Sequence, residues 1–217
     1  MKTRPILFSG PMVRALLAGT KTQTRRAMRK QPASVPGLRI DETSRDLKTG
    51  AAWFTARIDG KAHAAIPDGP DSVTADVGCP FGGRGSRLWV KESIKCVSFC
   101  GTSLPSDEAI SLFCADDAPT KADAWPWKRP FLPSIFMPIG LSRITLEVTD
   151  VRVQRLQDIS EEDARAEGVE PKTWGADAMA GQGARAAYAE LWDEINGAGA
   201  WEKNPWVWAI SFKRVQL

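Results

Sequence analysis

The sequence predicts an α+β fold: a small, closed or nearly closed mixed β-barrel with short helical plugs. Strand-like apolar runs of uneven length recur from one end of the chain to the other, and the first and last are both apolar. Only two or three segments carry helical spacing. With 217 residues and 43% hydrophobic content, the chain can bury a sizeable core without needing a second domain.

Taken in order, residues 5–8 suit a short strand, Ser9 an N-cap and Pro11 the first helical position. Met12, Leu16 and Leu17 then recur at helical spacing, and Gly19 reads as the residue just past the helix end. Residues 21–28 are polar and extended and enter a second strand. An ideal strand sends Lys21 and Thr24 to opposite faces, so a site shared by both requires a bend between them. Residues 31–78 read as a peripheral insertion, turn-rich at 31–36, with a hairpin over 51–66 turning at Asp59-Gly60 and a closing loop at 67–71. His63 on that hairpin reads as an ordinary surface or half-buried histidine.

The glycine-rich stretch 79–85 fits neither a Walker loop nor a dinucleotide fingerprint. It leads to a strand over 87–94 in which Leu88, Val90 and Glu92 share one face and Trp89 and Lys91 the other. Lys91 and Glu92 either reach a site or form a solvated ion pair at the barrel rim. Residues 96–133 are irregular, with a short helix or strand near 109–114. In Trp125-Pro126-Trp127-Lys128-Arg129-Pro130-Phe131, tryptophans beside cations offer a stacking surface for bases or a cover for the barrel's open end.

Residues 142–156 alternate as one long bent strand or two joined at Thr149-Asp150. Ser160 with Asp163 three positions on gives a capping-box start to a short helix ending at Gly168. Glu167 then lies at the negative end of the helix dipole, a placement that asks for a cation such as Lys21. A second helix over 184–195 buries Ala187, Tyr188, Leu191, Trp192 and Ile195. The final strand, 206–214, sets Trp206, Trp208, Ile210 and Phe212 against Val207, Ala209, Ser211 and Lys213.

Charge is unevenly placed. Lys2, Arg4, Arg14, Lys21, Arg25, Arg26, Arg29 and Lys30 fall in the first 30 residues with no Asp or Glu, although the whole chain is only +3. Such a patch is the footprint of a site for phosphate or another anion. No apolar run approaches a membrane span and no signal-peptide core is present, so a cytoplasmic protein is expected. Cys79, Cys96, Cys100 and Cys114 contain no Cys-x-x-Cys pair and His63 is the single histidine, so no metal is expected.

The run from Leu17 to Arg26, Leu-Ala-Gly-x-Lys-Thr-x-Thr-x-Arg in outline, resembles the signature of ASCH domains, small PUA-like β-barrels associated with RNA and modified nucleosides. Gly85-Ser86-Arg87-Leu88-Trp89-Val90-Lys91-Glu92 is similar to the Gly-Asp-x-Leu-Trp-Val-(Arg/Lys)-Glu strand of phage and bacterial members. So are Pro133-Ser134-Ile135-Phe136-Met137-Pro138 with Ser142-Arg143-Ile144, the run 156–168, and Asn204-Pro205-Trp206-Val207-Trp208. The resemblance implies one ASCH/PUA-like domain over 1–217 carrying the insertion at about 31–78. It further implies, by likeness to bacterial N(4)-acetylcytidine amidohydrolases, a catalytic set of Lys21, Thr24 and Glu167. Ile159 to Glu167 aligns without a gap to that group's Leu-Thr-Glu-x-x-Ala-x-x-Glu. Arg25, Arg26, Trp89, Lys91 and Glu92 are the accompanying substrate-binding candidates, and no cofactor is implied.

A neutral Lys21 would take the proton of Thr24 for attack on an acyl carbon while Glu167 shuttles it to the leaving amine. The lysine must then fall by about three pKa units, about 4 kcal/mol against its charged form. Burial and the neighbouring Arg25 and Arg26 push that way; Glu167 pushes against it. A charged Lys21 paired with Glu167 would instead recognise a base or anion. Three classes therefore stand: an amidohydrolase for N-acylated pyrimidine nucleosides; a reader of a modified base or single-stranded nucleic acid, or a ribonuclease; and a phage-derived interaction module with a vestigial pocket.

Overall fold

The computed structural model describes residues 3–29, 31, 55–58, 61–67, 74–97, 110–120, 125–170 and 183–215; segments 55–58, 61–67, 74–78 and residue 110 are described by backbone alone. The turn-rich stretch at 32–36, the loop at 68–71, the connection at 171–182 and Cys100 lie outside them.

In chain order the elements are β1 (Thr3–Leu7), α1 (Gly10–Ala18), β2 (Gln23–Ala27), β3 (Thr55–Ile58), β4 (Lys61–Pro67), β5 (Thr74–Gly78), β6 (Arg87–Lys91) and β7 (Ile94–Val97). Then follow β8 (Ile110–Phe113), β9 (Phe131–Leu132), two 3₁₀ turns (Ser134–Phe136 and Ile139–Leu141) and β10 (Thr145–Arg155). The chain closes with a 3₁₀ turn (Leu156–Asp158), α2 (Glu161–Ala166), α3 (Ala184–Asn196) and β11 (Trp206–Val215). The fold is mixed α+β: a five-stranded sheet in the order β1-β6-β10-β11-β2 and two three-stranded sheets, β3-β4-β5 and β8-β7-β9. β1 runs parallel to β6, whereas β6 with β10 and β2 with β11 are antiparallel.

The chain divides into two compact units, Met1–Gly19 with Arg87–Glu147 and Arg214–Leu217, and Thr20–Ser86 with Val148–Lys213. In the first, alternation on β6 is as expected: Leu88, Val90 and, just beyond the strand, Glu92 are buried, while Trp89 and Lys91 are half-buried. The strand expected over 87–94 breaks at Glu92-Ser93, and Ile94 opens β7 in another sheet. There Ile94, Phe113, Trp125, Leu132 and Met137 form an apolar cluster. Trp125 is thus a core residue, its Nε1 donating to the Arg129 carbonyl at 2.8 Å, with Trp127 edge-on to it at 4.8 Å. α1 has Ser9 as N-cap and ends at Gly19, whose φ of +78° is the left-handed conformation glycine permits. Its buried stripe is Val13 and Leu16; Met12 and Leu17 are half-buried.

In the second unit, α2 and α3 pack through Leu156, Ile159, Ala164, Ala184, Tyr188, Trp192 and Val207. Ser160 caps α2 as its sequence requires, Oγ accepting from the Asp163 N–H at 3.1 Å. Glu161 reaches across to cap α3, accepting from the N–H groups of Ala184 at 2.8 Å and Arg185 at 3.2 Å. A Cβ on Gly183 would come 2.3 Å from that carboxylate, so a larger residue there would make the Glu161 side chain shift from the helix end. Two expectations are corrected. Ile195, placed on the buried side of α3, is exposed because it lies in the last turn. β11 is buried on both faces from Trp206 to Ile210, not on one, with Val207 packed in the α2 and α3 cluster.

The insertion is more strand-rich than its composition suggests. β3 and β4 pair antiparallel with Ile58 opposite Lys61, and the turn expected at Asp59-Gly60 lies outside the described residues. β5, unexpected from the sequence, adds to the other side of β4.

Candidate functional site

Backbone pairing brings the approach to β2 against the end of α2. Lys21 forms an isolated antiparallel bridge with Glu167, and the Thr22 N–H donates to the Ala166 carbonyl at 2.8 Å. The Thr22 carbonyl accepts from the Phe212 N–H at 2.8 Å, tying the same point to β11. Glu167 is the C-cap of α2, so its carbonyl is among those the helix leaves without an internal partner.

Lys21 fills that gap. Its Nζ donates to the Glu167 carbonyl at 2.7 Å and to Glu167 Oε2 at 2.9 Å, and the residue is only 2% exposed. Burial depresses the Lys21 ammonium below its ordinary range; Glu167 opposes the shift, and Arg26 and Arg25 add to it. The other carboxylate oxygen, Oε1, accepts from Arg25 at 3.2 Å. Arg25 also donates to Asp163 Oδ2 at 2.6 Å, and its side chain is fully buried.

Gln23 completes this layer. With its amide oriented so that nitrogen meets Asp163 Oδ1 at 3.1 Å, its oxygen accepts from Arg25 at 2.9 and 3.2 Å. Arg152 approaches Asp163 at 3.4 Å from the more exposed side. Tyr188 of α3 lies against Glu167, and its phenol is pushed well above its ordinary range, first by burial and then by that carboxylate.

Gln23 and Arg25 both reach Asp163 and so share one face of β2; Thr24, also buried, alternates to the opposite face together with Arg26. Arg26 is half-buried and still lies within electrostatic reach of Lys21 and Glu167. Lys21, Arg25 and Arg152 thus meet the two carboxylates Asp163 and Glu167, and Arg26 lies within electrostatic reach of Glu167. The first unit holds the other three candidates. Lys91 lies 5.3 Å from the Trp89 ring centroid and donates to the Ile135 carbonyl. Glu92 is 1% exposed and takes both its oxygens to Arg143, at 2.9 and 2.7 Å, so it is a buried ion pair and not a rim charge. Arg143 also binds Asp116 at 2.8 Å; burial lowers it, but the two carboxylates outweigh that and hold it firmly protonated.

Compared with models of known protein families, with curated proteins and with solved structures, the chain matches none. The site is therefore read from its own geometry. Sequence reasoning missed Gln23, Asp163, Arg152 and Tyr188 as parts of this cluster. Asp163 carried a usable signal: it stands four residues before Glu167, which puts both carboxylates on one helix face. Tyr188 looked like part of an apolar stripe, and nothing local distinguishes a tyrosine that packs from one that also meets a carboxylate.

Proposed function

We propose that the chain is an ASCH-like, PUA-like barrel protein and an amidohydrolase for an N-acylated pyrimidine nucleoside such as N(4)-acetylcytidine. The observation that carries the reading is the Lys21–Glu167 pair: an ammonium 2% exposed, driven toward its neutral form by burial, and held 2.9 Å from a carboxylate. The proposed sequence requires Thr24 to turn from the opposite face of β2 toward Lys21; neutral Lys21 then accepts its hydroxyl proton as the oxygen adds to the acyl carbon. The collapsing adduct expels the nucleobase amine, which takes a proton through Glu167; water then attacks the acyl-threonine ester, releasing acetate and restoring Thr24. Arg25 holds Oε1 of Glu167 so that Oε2 remains on Lys21.

A second reading, a non-catalytic reader of a modified base, is favoured by one observation: Lys21 also donates to a helix-terminal carbonyl, a role that suits a charged lysine. The deciding experiment is acetate release from N(4)-acetylcytidine by the full chain and by Thr24→Ala, Lys21→Met and Glu167→Gln. Turnover lost equally in all three supports hydrolysis, because members of one unit do not contribute additively. Full turnover in Thr24→Ala removes the nucleophile from the scheme. Binding without turnover in the unaltered chain leaves the reader.

A further inference from the structure

The first unit displays a surface that neither reading uses. Ile135, Phe136 and Ile139 are 58%, 68% and 58% exposed, and Phe131 beside them in sequence is 49% exposed. Isolated exposed apolar residues are ordinary, but four large ones on one short stretch are the kind of patch that marks a contact site.

This stretch is held in place from beneath. Met137, between the two 3₁₀ turns, is 1% exposed and packs in the Ile94, Phe113 and Trp125 cluster. The Ser134 N–H donates to Ser93 Oγ at 3.2 Å, Lys91 donates to the Ile135 carbonyl, and the Phe136 N–H returns to the Pro133 carbonyl at 3.0 Å. Exposing apolar side chains on a pinned turn lowers the ordering cost of a complex. Beside Ser93 lies a cavity of about 350 Å³, lined by Phe8, Pro11, Val13, Ala115 and Phe131, with Arg14 and Glu92 also on its wall. That volume takes one large side chain.

The charge along residues 125–146 has one sign, and the carboxylate on the cavity wall, Glu92, is held by Arg143. Lys128 and Arg129 are exposed, and from Trp125 to Leu146 the sequence contains no Asp or Glu. Two copies meeting through this patch would set like charges together, which disfavours self-association. Two of the four exposed residues are isoleucines, which offer no ring for base stacking. Two three-residue turns also lack the long amphipathic face of interfacial helices. Pro130 and Pro133 flank β9 and block its extension by an added strand, so side chains must make the contact.

We propose that this face docks an acidic protein segment: a large apolar anchor enters the cavity beside Phe131, neighbouring apolar side chains cover Ile135, Phe136 and Ile139, and carboxylates meet Lys128, Arg129 and Arg14. The inference is independent of the Lys21–Glu167 reading and survives its failure. It is tested by selecting a displayed library of random twelve-residue peptides on the full chain, then measuring the recovered peptides by fluorescence anisotropy. The selected peptides are expected to be rich in Asp and Glu around at least one Trp, Phe or Leu. Phe136→Ser and the double variant Lys128→Glu/Arg129→Glu should each weaken them by about tenfold or more. These positions are exposed, so near-ultraviolet circular dichroism should remain native. The double variant should also shift selection toward Lys and Arg. An empty selection, peptides without that composition, or affinities unmoved by either variant overturns the proposal. So does binding of a single-stranded oligonucleotide or of anionic phosphatidylserine vesicles that Phe136→Ser abolishes while peptides do not bind.

Discussion

Lys21 Nζ sits 2.7 Å from the carbonyl oxygen and 2.9 Å from the carboxylate of the same residue, Glu167, across 146 positions of sequence. One side chain thus closes the C-terminal end of α2 and pairs with the carboxylate that the helix dipole disfavours there. Removing it breaks both contacts in a buried place.

Lys21→Met should therefore destabilise the protein by about 3 kcal/mol, the range for a buried pair that loses one partner. Arg25 still holds Oε1, which keeps the loss from being larger. Glu167→Gln should cost less, and the double variant should cost less than the sum by about 1 kcal/mol or more. Urea unfolding of the four proteins measures this coupling; strict additivity would mean the pair contributes nothing to the native state.

Tyr188 gives a pH signature. It is the single tyrosine of the chain, and its phenol in the folded state is held well above the ordinary value of 10.0 by burial first and Glu167 second. Above pH 10 the unfolded chain releases this proton while the native state keeps it, so the native state binds more protons and stability falls as pH rises. Lys21 acts with the opposite sign: its depressed value lets the unfolded state bind more protons below 10.5, so its contribution rises with pH over that window. Tyr188→Phe should flatten the loss of stability above pH 10. Phenolate absorption should appear only with unfolding in the parent protein; a phenol that titrates freely in the native state would refute the assignment.

What the sequence made legible follows from the range of the forces involved. α1, the Ser160 cap and the β6 alternation are set by neighbours within four residues, and each lies where Ser9, Gly19, Ser160 and the Leu88-Val90-Glu92 spacing put it. The Lys21–Glu167 pairing was expected from the helix dipole and is found. The partner of Glu92 was not, because Arg143 lies 51 residues away and nothing local couples them. β5 escaped notice because Thr74-Ala75-Asp76-Val77-Gly78 has weak strand preference and is strand only through pairing with β4. The burial of both faces of β11 depends in the same way on what packs against each of them, which no alternation encodes.

The sheet β3-β4-β5 pairs only within itself among the described residues, so residues 32–78 should be separable. Gln31 is not part of what can be removed. Its Nε2 donates to the carbonyls of Met28 at 2.7 Å and Trp206 at 3.1 Å, and its Oε1 accepts from the Trp206 N–H at 2.8 Å. Joining Gln31 to Cys79 through a short Gly-Ser linker should leave one cooperative unfolding transition. Including Gln31 in the deletion should cost a further 1–2 kcal/mol, roughly that of leaving buried backbone groups without partners. Loss of cooperativity in the shorter deletion would show that the insertion is structural.

Arg25 and Arg26 are adjacent in sequence and should behave differently, because β2 turns one to each face. Arg25 spans Asp163 and Glu167 with its side chain fully buried and Gln23 against it, so Arg25→Met takes a buried cation from both carboxylates and should destabilise by about 3–5 kcal/mol. Arg25→Lys should recover little of this, since a single ammonium cannot reproduce the fork that meets both acids. Arg26 is half-buried, so Arg26→Met should cost about 1 kcal/mol of stability. It still faces the Lys21–Glu167 pair electrostatically, and its loss should weaken binding of an N-acylated cytidine nucleotide more than it weakens the fold. Urea unfolding beside isothermal titration separates the two effects. If Arg26→Met leaves affinity unchanged while the milder Arg25→Lys variant, still folded, lowers it, then the ligand approaches from the Asp163 face and Arg26 takes no part in binding it.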